Sequence, residues 1–272
     1  MRKTLLMLLI LLVPLCAYAE DEEIYFADVI VMNPQEAVEV EVQVGEDDVL
    51  PDEITPANNA REEFIDRIFE LGYELYVKAD GKAQRAIKKG DIYLCKNFTT
   101  HIFNELRDDY CMAEFPDVRL KIPNNLPSGD CKPYYYGLAW EEVAASKGNP
   151  FFVAAEFRYD SKLSYDENFD LACEFIRQAQ RGDFFQMSVD YEYGTGAHSA
   201  IMMGYDPVND EIHWMDSNMR GYSKTVNGEK LRYGICQYDE VKSVEWWAGT
   251  FCHKKRGATL YRLRDDIAYR ED

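Results

Sequence analysis

The sequence is short of positive charge. Its 272 residues carry 30 Lys and Arg against 49 Asp and Glu, a formal net charge of −19. Such a surface repels nucleic acid and anionic lipid, so no nucleic-acid partner is expected. Between Glu20 and Thr55 there is no Lys or Arg at all. Long hydrophobic runs are also lacking. A single apolar stretch lies near the N-terminus, too short to span a bilayer comfortably, so no membrane insertion is expected once it is removed. Histidine is scarce, with four in the chain. Cys252-His253 has no second Cys or His pair at ligand spacing, which argues against zinc. Asp206, Asn209 and Asp210 read as a hairpin turn rather than a calcium loop. Neither a metal nor a cofactor is expected, and no internal repeat is present.

What is there begins with an export signal. Arg2 and Lys3 precede an apolar stretch from Leu5 to Leu15, and Ala17-Tyr18-Ala19 gives a small-x-small cleavage site before Glu20. Residues 1–19 are therefore expected to be a cleaved signal peptide, with the mature protein secreted or periplasmic. Losing Arg2 and Lys3 takes the net charge from −19 to −21. Residues 20–58 read as a flexible acidic linker, closed by Pro51 and Pro56.

Ordered structure is expected over 59–272. Phe64, Ile65, Ile68, Phe69, Leu71 and Leu75 recur with helical spacing, and a second helix is expected from about Leu94 to Arg107. Residues 108–150 are rich in Pro, Asn, Gly and Tyr and read as irregular structure with short helices, and a helix is expected from Ala172 to Arg181, stopped by Gly182. Six short aromatic and aliphatic runs follow: Phe184–Tyr191, His198–Tyr205, Glu211–Asp216, Arg232–Tyr238, Val244–Phe251 and Thr259–Leu263. Turn signals at Asp206-Pro207, Asn209-Asp210 and Asn227-Gly228 separate them. Helices first and an antiparallel sheet afterwards predict an α+β domain.

The candidate chemistry starts at Cys95, where the second helix begins. Unpaired amides at a helix N-terminus favour the thiolate, the form that attacks carbonyls. A thiolate also needs a base and a group to orient that base. Gly194-Thr195-Gly196-Ala197-His198 places a histidine at the mouth of an apolar strand. The next strand ends in Asp216-Ser217-Asn218, and a hairpin through Asp206–Asp210 sets that end beside His198. Asp216 and Asn218 both remain candidates for the orienting group.

The order helix-Cys, strand-His, strand-polar residue resembles the papain-like thiol hydrolases. Gly182-Asp183-Phe184-Phe185-Gln186-Met187, through Gly196-Ala197-His198 to Asp216-Ser217-Asn218, is similar to the NlpC-type and CHAP amidases. The run His198…Gly204-Tyr205…Trp214…Asp216-Ser217-Asn218 also resembles the His-and-Asn half of papain. The resemblance covers residues 91–106 and 182–221. It implies a papain-like fold, with the nucleophile helix packed on the C-terminal sheet and an insertion around 108–180. It implies Cys95 as nucleophile, His198 as base and Asp216 as orienting residue, with Asn218 nearby. The implied activity is cysteine peptidase or amidase, acting on a peptide or cell-wall peptide. Two other readings stay open: an inactive papain-like module that binds a peptide or partner, and an acyl transferase of the transglutaminase-like type.

Other residues have plainer readings. His101 lies six residues past Cys95, on another helix face, and His213 is expected to pack beside Trp214. Tyr134-Tyr135-Tyr136 and Trp246-Trp247 read as core or cleft wall. Six cysteines remain after signal removal, at 95, 111, 131, 173, 236 and 252. Proximity in sequence suggests Cys111–Cys131 and Cys236–Cys252 as pairs, while Cys95 has to stay free.

Overall fold

Apolar side chains at helical spacing build the first element, α1 (Ala60–Lys78), which buries Phe64, Ile65, Ile68, Phe69 and Leu75 on one face. Glu62 and Glu63 sit in its first turn and Lys78 in its last, each complementing the helix dipole. The computed structural model describes residues 59–82, 85–87, 91–121, 124–126, 137–139, 147–188, 197–226, 229–253 and 255–271. The signal segment, the acidic linker, Cys131, the Tyr134-Tyr135-Tyr136 cluster and the Gly194–Gly196 loop lie outside the described residues.

After α1 come the short strand β1 (Arg85–Ile87) and the helix α2 (Cys95–Leu106). A single turn of 3₁₀ helix (Arg107–Asp109) leads into β2 (Tyr110–Met112) and β3 (Phe115–Arg119). Two further short strands follow, β4 (Asn124–Leu126) and β5 (Gly137–Ala139). Then come β6 (Phe151–Arg158), α3 (Tyr165–Ile176), β7 (Phe184–Ser188) and β8 (His198–Asp206). The chain continues through β9 (Glu211–Val226), β10 (Glu229–Ser243), α4 (Val244–His253), β11 (Gly257–Leu263) and β12 (Ile267–Tyr269).

The protein is a mixed α+β structure whose sheets are antiparallel. Seven strands form the main sheet in the order β1-β10-β9-β8-β7-β11-β6. The strands β12-β2-β3 form a second sheet, and β4 pairs with β5. Core side chains gather in two clusters. One unites α1 and α2 with Ile201 of β8 and Met215 of β9. The other unites α3 and α4 with Ala200, Met202 and Trp214 from the same two strands. Consecutive strand residues point to opposite faces, so alternate residues of β8 and β9 feed alternate clusters.

Two glycines let the layers close. A Cβ at Gly72 would lie 2.2 Å from Met215 Sδ, so a side chain at position 72 would displace the Met215 thioether where α1 packs on β9. Gly182 adopts φ +88° in the turn before β7, a conformation that costs other residues more. The neighbouring Asp183 is fully buried and accepts two charge-assisted hydrogen bonds from Arg262 Nε and Nη2, both at 2.8 Å.

Four sequence expectations need correcting. The stretch 108–150, expected as irregular with short helices, carries the short strands β2, β3, β4 and β5 among its described residues. Val244–Phe251, expected as a strand, is the helix α4. Its Trp-Trp pair suggests a strand, but the buried set Val244, Trp247, Ala248, Phe251 and Cys252 has helical spacing. The helix expected over Ala172–Arg181 runs instead from Tyr165 to Ile176 and is started by a capping box. There Glu167 N donates to Ser164 Oγ at 3.2 Å, and Ser164 N donates to Glu167 Oε2 at 2.8 Å. Cys236 and Cys252 belong to different core clusters, which removes the basis for pairing them. Within the segment read as an insertion, β6 and α3 contribute to the main sheet and its flanking layer.

Candidate active site

The site is assembled at the end of the main sheet where β8 begins. The residue before α2, Leu94, is extended (φ −81°, ψ 138°) and offers no side-chain cap, and the first turn of the helix holds no acidic residue. The opening amides are therefore not engaged by a capping side chain, and the positive end of the helix dipole falls on Cys95. The preceding loop is fixed by Tyr93 N donating to Asp91 Oδ1 and Asn97 Nδ2 donating to Asp91 O, both at 2.9 Å. That second bond commits Asn97, in the sequon Asn97-Phe98-Thr99, to holding the helix start. The helix is anchored beneath by Phe98, Ile102 and Phe103, all fully buried.

His198 opens β8, and its imidazole and the Cys95 thiol interact closely enough for each to shift the other's titration. Its Nε2 lies 2.6 Å from Asp216 Oδ2, which leaves Nδ1 for the thiol. Asp216 reaches this position through the β8–β9 hairpin, in which Ile201 pairs with Met215 and Met202 with Trp214. Trp214, two residues earlier on the same strand face, donates from Nε1 to Asp216 Oδ2 at 3.2 Å. The other carboxylate oxygen, Oδ1, is buried without a hydrogen-bond partner. The structure thus brings Cys95, His198 and Asp216 into one chain of contacts. Asn218 lies two residues further along β9, opposite Ile235 of β10, while the imidazole nitrogen goes to Asp216.

The electrostatics follow from burial and pairing. Burial alone would push the Cys95 thiol up. The hydrogen bond and positive charge of His198, with the Ser199 and Lys96 backbone groups, outweigh this and bring it below its ordinary value. Burial alone would lower the His198 imidazolium, but the Asp216 carboxylate and the Cys95 thiolate raise it to about 10. Both shifts favour a thiolate–imidazolium pair at neutral pH. The Lys96 ammonium is lowered by burial, partly offset by the Cys95 charge.

A support that sequence reading missed lies under His198. Gln186 of β7 is buried; its Nε2 donates to His198 O at 3.1 Å and to Met187 O at 2.7 Å. Ser199 Oγ donates to Gln186 Oε1 at 2.6 Å. This amide fixes the backbone on which the imidazole is mounted. Its only sequence signal is a polar residue inside the otherwise apolar run Phe184-Phe185-Gln186-Met187.

The remaining histidines are placed elsewhere. His101 Nδ1 lies 3.6 Å from Glu105 Oε1 along α2. His213 Nδ1 meets Asp239 Oδ1 at 2.8 Å on the rim of the sheet, a polar pairing where packing was expected. The ligand atoms of Asp206, Glu211 and His213 lie within 4.8 Å of one another. Asp206 Oδ1 already accepts the Val208 amide at 2.8 Å, as a turn-capping carboxylate does. Among the described residues no helix is long and apolar enough to cross a membrane.

The chain matches no family model, and neither the curated proteins nor the solved structures yield a match.

Proposed function

We propose that the protein is a thiol hydrolase that cleaves amide or peptide bonds through Cys95, His198 and Asp216. More narrowly, it is a papain-like cysteine peptidase or amidase that acts, after export, on a peptide such as a cell-wall peptide. The observation that supports this reading is the contact chain from the uncapped N-terminus of α2, through the Cys95 thiol and the His198 ring, to the buried Asp216 carboxylate.

The chemistry runs as follows. The Cys95 thiolate attacks the substrate carbonyl carbon, forming a C–S bond. The carbonyl oxygen becomes an oxyanion and receives the Cys95 N–H, one donor of the oxyanion hole. The His198 imidazolium gives its proton to the leaving amine as the C–N bond breaks, leaving a thioester. A water molecule then attacks the thioester and passes a proton to His198, and the thiolate departs. Asp216 holds the imidazole with Nδ1 toward sulfur throughout and stabilises its cationic form.

Acyl-enzyme trapping tests the reading. Incubation with an activated acyl ester should add one acyl group at Cys95, resolved by peptide mass spectrometry, and His198→Ala should suppress the adduct. Absence of the adduct, or Cys95 recovered in a disulfide from the native protein, would sink the enzyme and leave the peptide-binding module. Adding a primary amine separates hydrolysis from transfer. Acid product alone supports a hydrolase; amide product in excess supports the acyl transferase.

A further inference from the structure

The strand that carries Asp216 also reaches the nucleophile, through its next residue. Consecutive strand residues point to opposite faces, so Asp216 shares the face of Trp214 and Ser217 shares that of Met215. Ser217 is fully buried and pairs with Cys236 of β10. Met215, Cys236 and Tyr93 belong to one core cluster, the one built on α1 and α2. Into this apolar setting Ser217 brings a hydroxyl, which donates to Ile235 O at 3.1 Å and to Tyr93 O. Both acceptors are carbonyls, so the hydroxyl is the donor to each and one proton is shared between them.

The two acceptors differ in what they hold. Ile235 lies on β10, the strand already paired with β9, so a serine that only satisfied itself within the sheet would need no other partner. Tyr93 lies outside the sheet, two residues before Cys95. Local bonds shape that loop: Tyr93 N and Asn97 Nδ2 donate to Asp91, Leu94 N donates to Asp91 O at 3.1 Å, and Phe98 N donates to Leu94 O at 2.7 Å. They define the start of α2 and reach no strand. The Ser217 hydroxyl does reach across, from the residue next to the carboxylate that orients His198. One strand thus serves both halves of the reactive pair. Asp216 holds the ring from one face of β9, and Ser217 holds the loop that ends at Cys95 from the other.

We propose that Ser217 is a positioning residue that sets the separation of the Cys95 sulfur and the His198 ring, by holding the Tyr93 carbonyl. The inference rests on Cys95 being the reactive thiolate. Ser217 acts through the loop and touches none of the reacting atoms. Without its hydroxyl the loop keeps its local bonds and loses this attachment to β9, while the His198–Asp216 bond on the opposite face is retained. The thiolate then loses part of the support of the imidazolium, so the effect falls on the ionisation of Cys95 rather than on substrate binding.

The pH–rate profile for iodoacetamide at Cys95 tests it, because a merely structural serine would leave that profile in place. Ser217→Ala should move the lower limb of the profile up toward that of a free cysteine peptide. It should also lower kcat for a peptide amide about tenfold while KM changes less than about twofold, since small displacements of reacting groups are costly. Ser217→Thr, which keeps the hydroxyl, should hold the native profile. A native profile in Ser217→Ala, or an equal shift in Ser217→Thr, overturns the positioning role while leaving the thiolate reading intact. A profile of the unaltered protein that coincides with the free peptide overturns the thiolate reading itself, and this inference with it. Should the alanine variant fail to fold, Ser217→Cys keeps the shape with a weaker donor, and peptide mass spectrometry reads Cys95 apart from the new thiol. A profile shifted part of the way is then expected, and an unshifted one overturns the proposal.

Discussion

Two histidine–aspartate pairs belong to the same run of strands, and only one of them carries the proposed chemistry. His198 and Asp216 sit at the buried end of the β8–β9 hairpin, with side chains 10% and 4% exposed. His213 and Asp239 sit on the rim, 32% and 55% exposed, with a nearly equal contact of 2.8 Å. The distances hardly differ; the surroundings do. His198 has a thiol on its other nitrogen, an indole donor on its carboxylate partner and an amide clamp on its backbone. His213 is partly exposed and its Asp239 partner more so, and an ion pair of this kind near the surface contributes about 0–1 kcal/mol. A histidine and a carboxylate at hydrogen-bond distance are thus only a surface pair until burial and a nucleophile are added.

The comparison breaks most sharply at the nucleophile. Cys95→Ala and His198→Ala should each reduce amide hydrolysis about 10⁴-fold or more, measured as initial rates on a chromogenic peptide amide. Asp216→Asn should cost about 10²- to 10⁴-fold by the same assay, because an amide neither favours the cationic imidazole nor fixes its orientation equally. The matched change at the rim, Asp239→Asn, should alter the rate less than about twofold and the stability by no more than about 0.5 kcal/mol. Equal effects of the two Asp→Asn changes would remove the distinction between the pairs.

A finer test sharpens the role of the supporting shell. Gln186→Leu removes the clamp on the His198 carbonyl and leaves buried polar groups short of a partner. It should lower stability by about 1–3 kcal/mol in urea unfolding. It should also slow acylation by about tenfold, through misplacement of the imidazole. Trp214→Phe removes one 3.2 Å hydrogen bond to Asp216 while keeping an aromatic ring, and a loss of about threefold in rate is expected.

The sequence made some of this legible and hid the rest, for identifiable reasons. The nucleophile helix was readable to within a residue, because Phe98, Ile102, Phe103 and Leu106 mark one helix face. The β8–β9 hairpin was readable from Asp206-Pro207 and Asn209-Asp210, and with it the approach of Asp216 to His198. The choice between Asp216 and Asn218 was not, because both occupy the same strand face and register alone separates them. The helix α4 was misread because aromatic content was weighed above spacing. The early start of α3 was missed although Ser164 and Glu167 spell a capping box. Gln186 was beyond sequence reading for a different reason. Its meaning depends on which backbone it crosses after β7 and β8 come together, and no local pattern encodes that.

The central claim is that Cys95 is held as a thiolate by His198, and its pH–rate profile for iodoacetamide tests this most directly. Cys95 is half-buried whereas Cys111, Cys173, Cys236 and Cys252 are buried, so exposure alone favours its labelling. The pH dependence separates exposure from activation. With the thiol lowered and the imidazole raised to about 10, the ion pair persists from below the ordinary thiol range up to about pH 10. The rate at Cys95 should therefore begin to fall only at a pH below that at which a free cysteine peptide loses reactivity. In His198→Ala the profile should move up to that of the peptide or beyond. A native profile that coincides with the free peptide, unchanged by His198→Ala, would contradict the account.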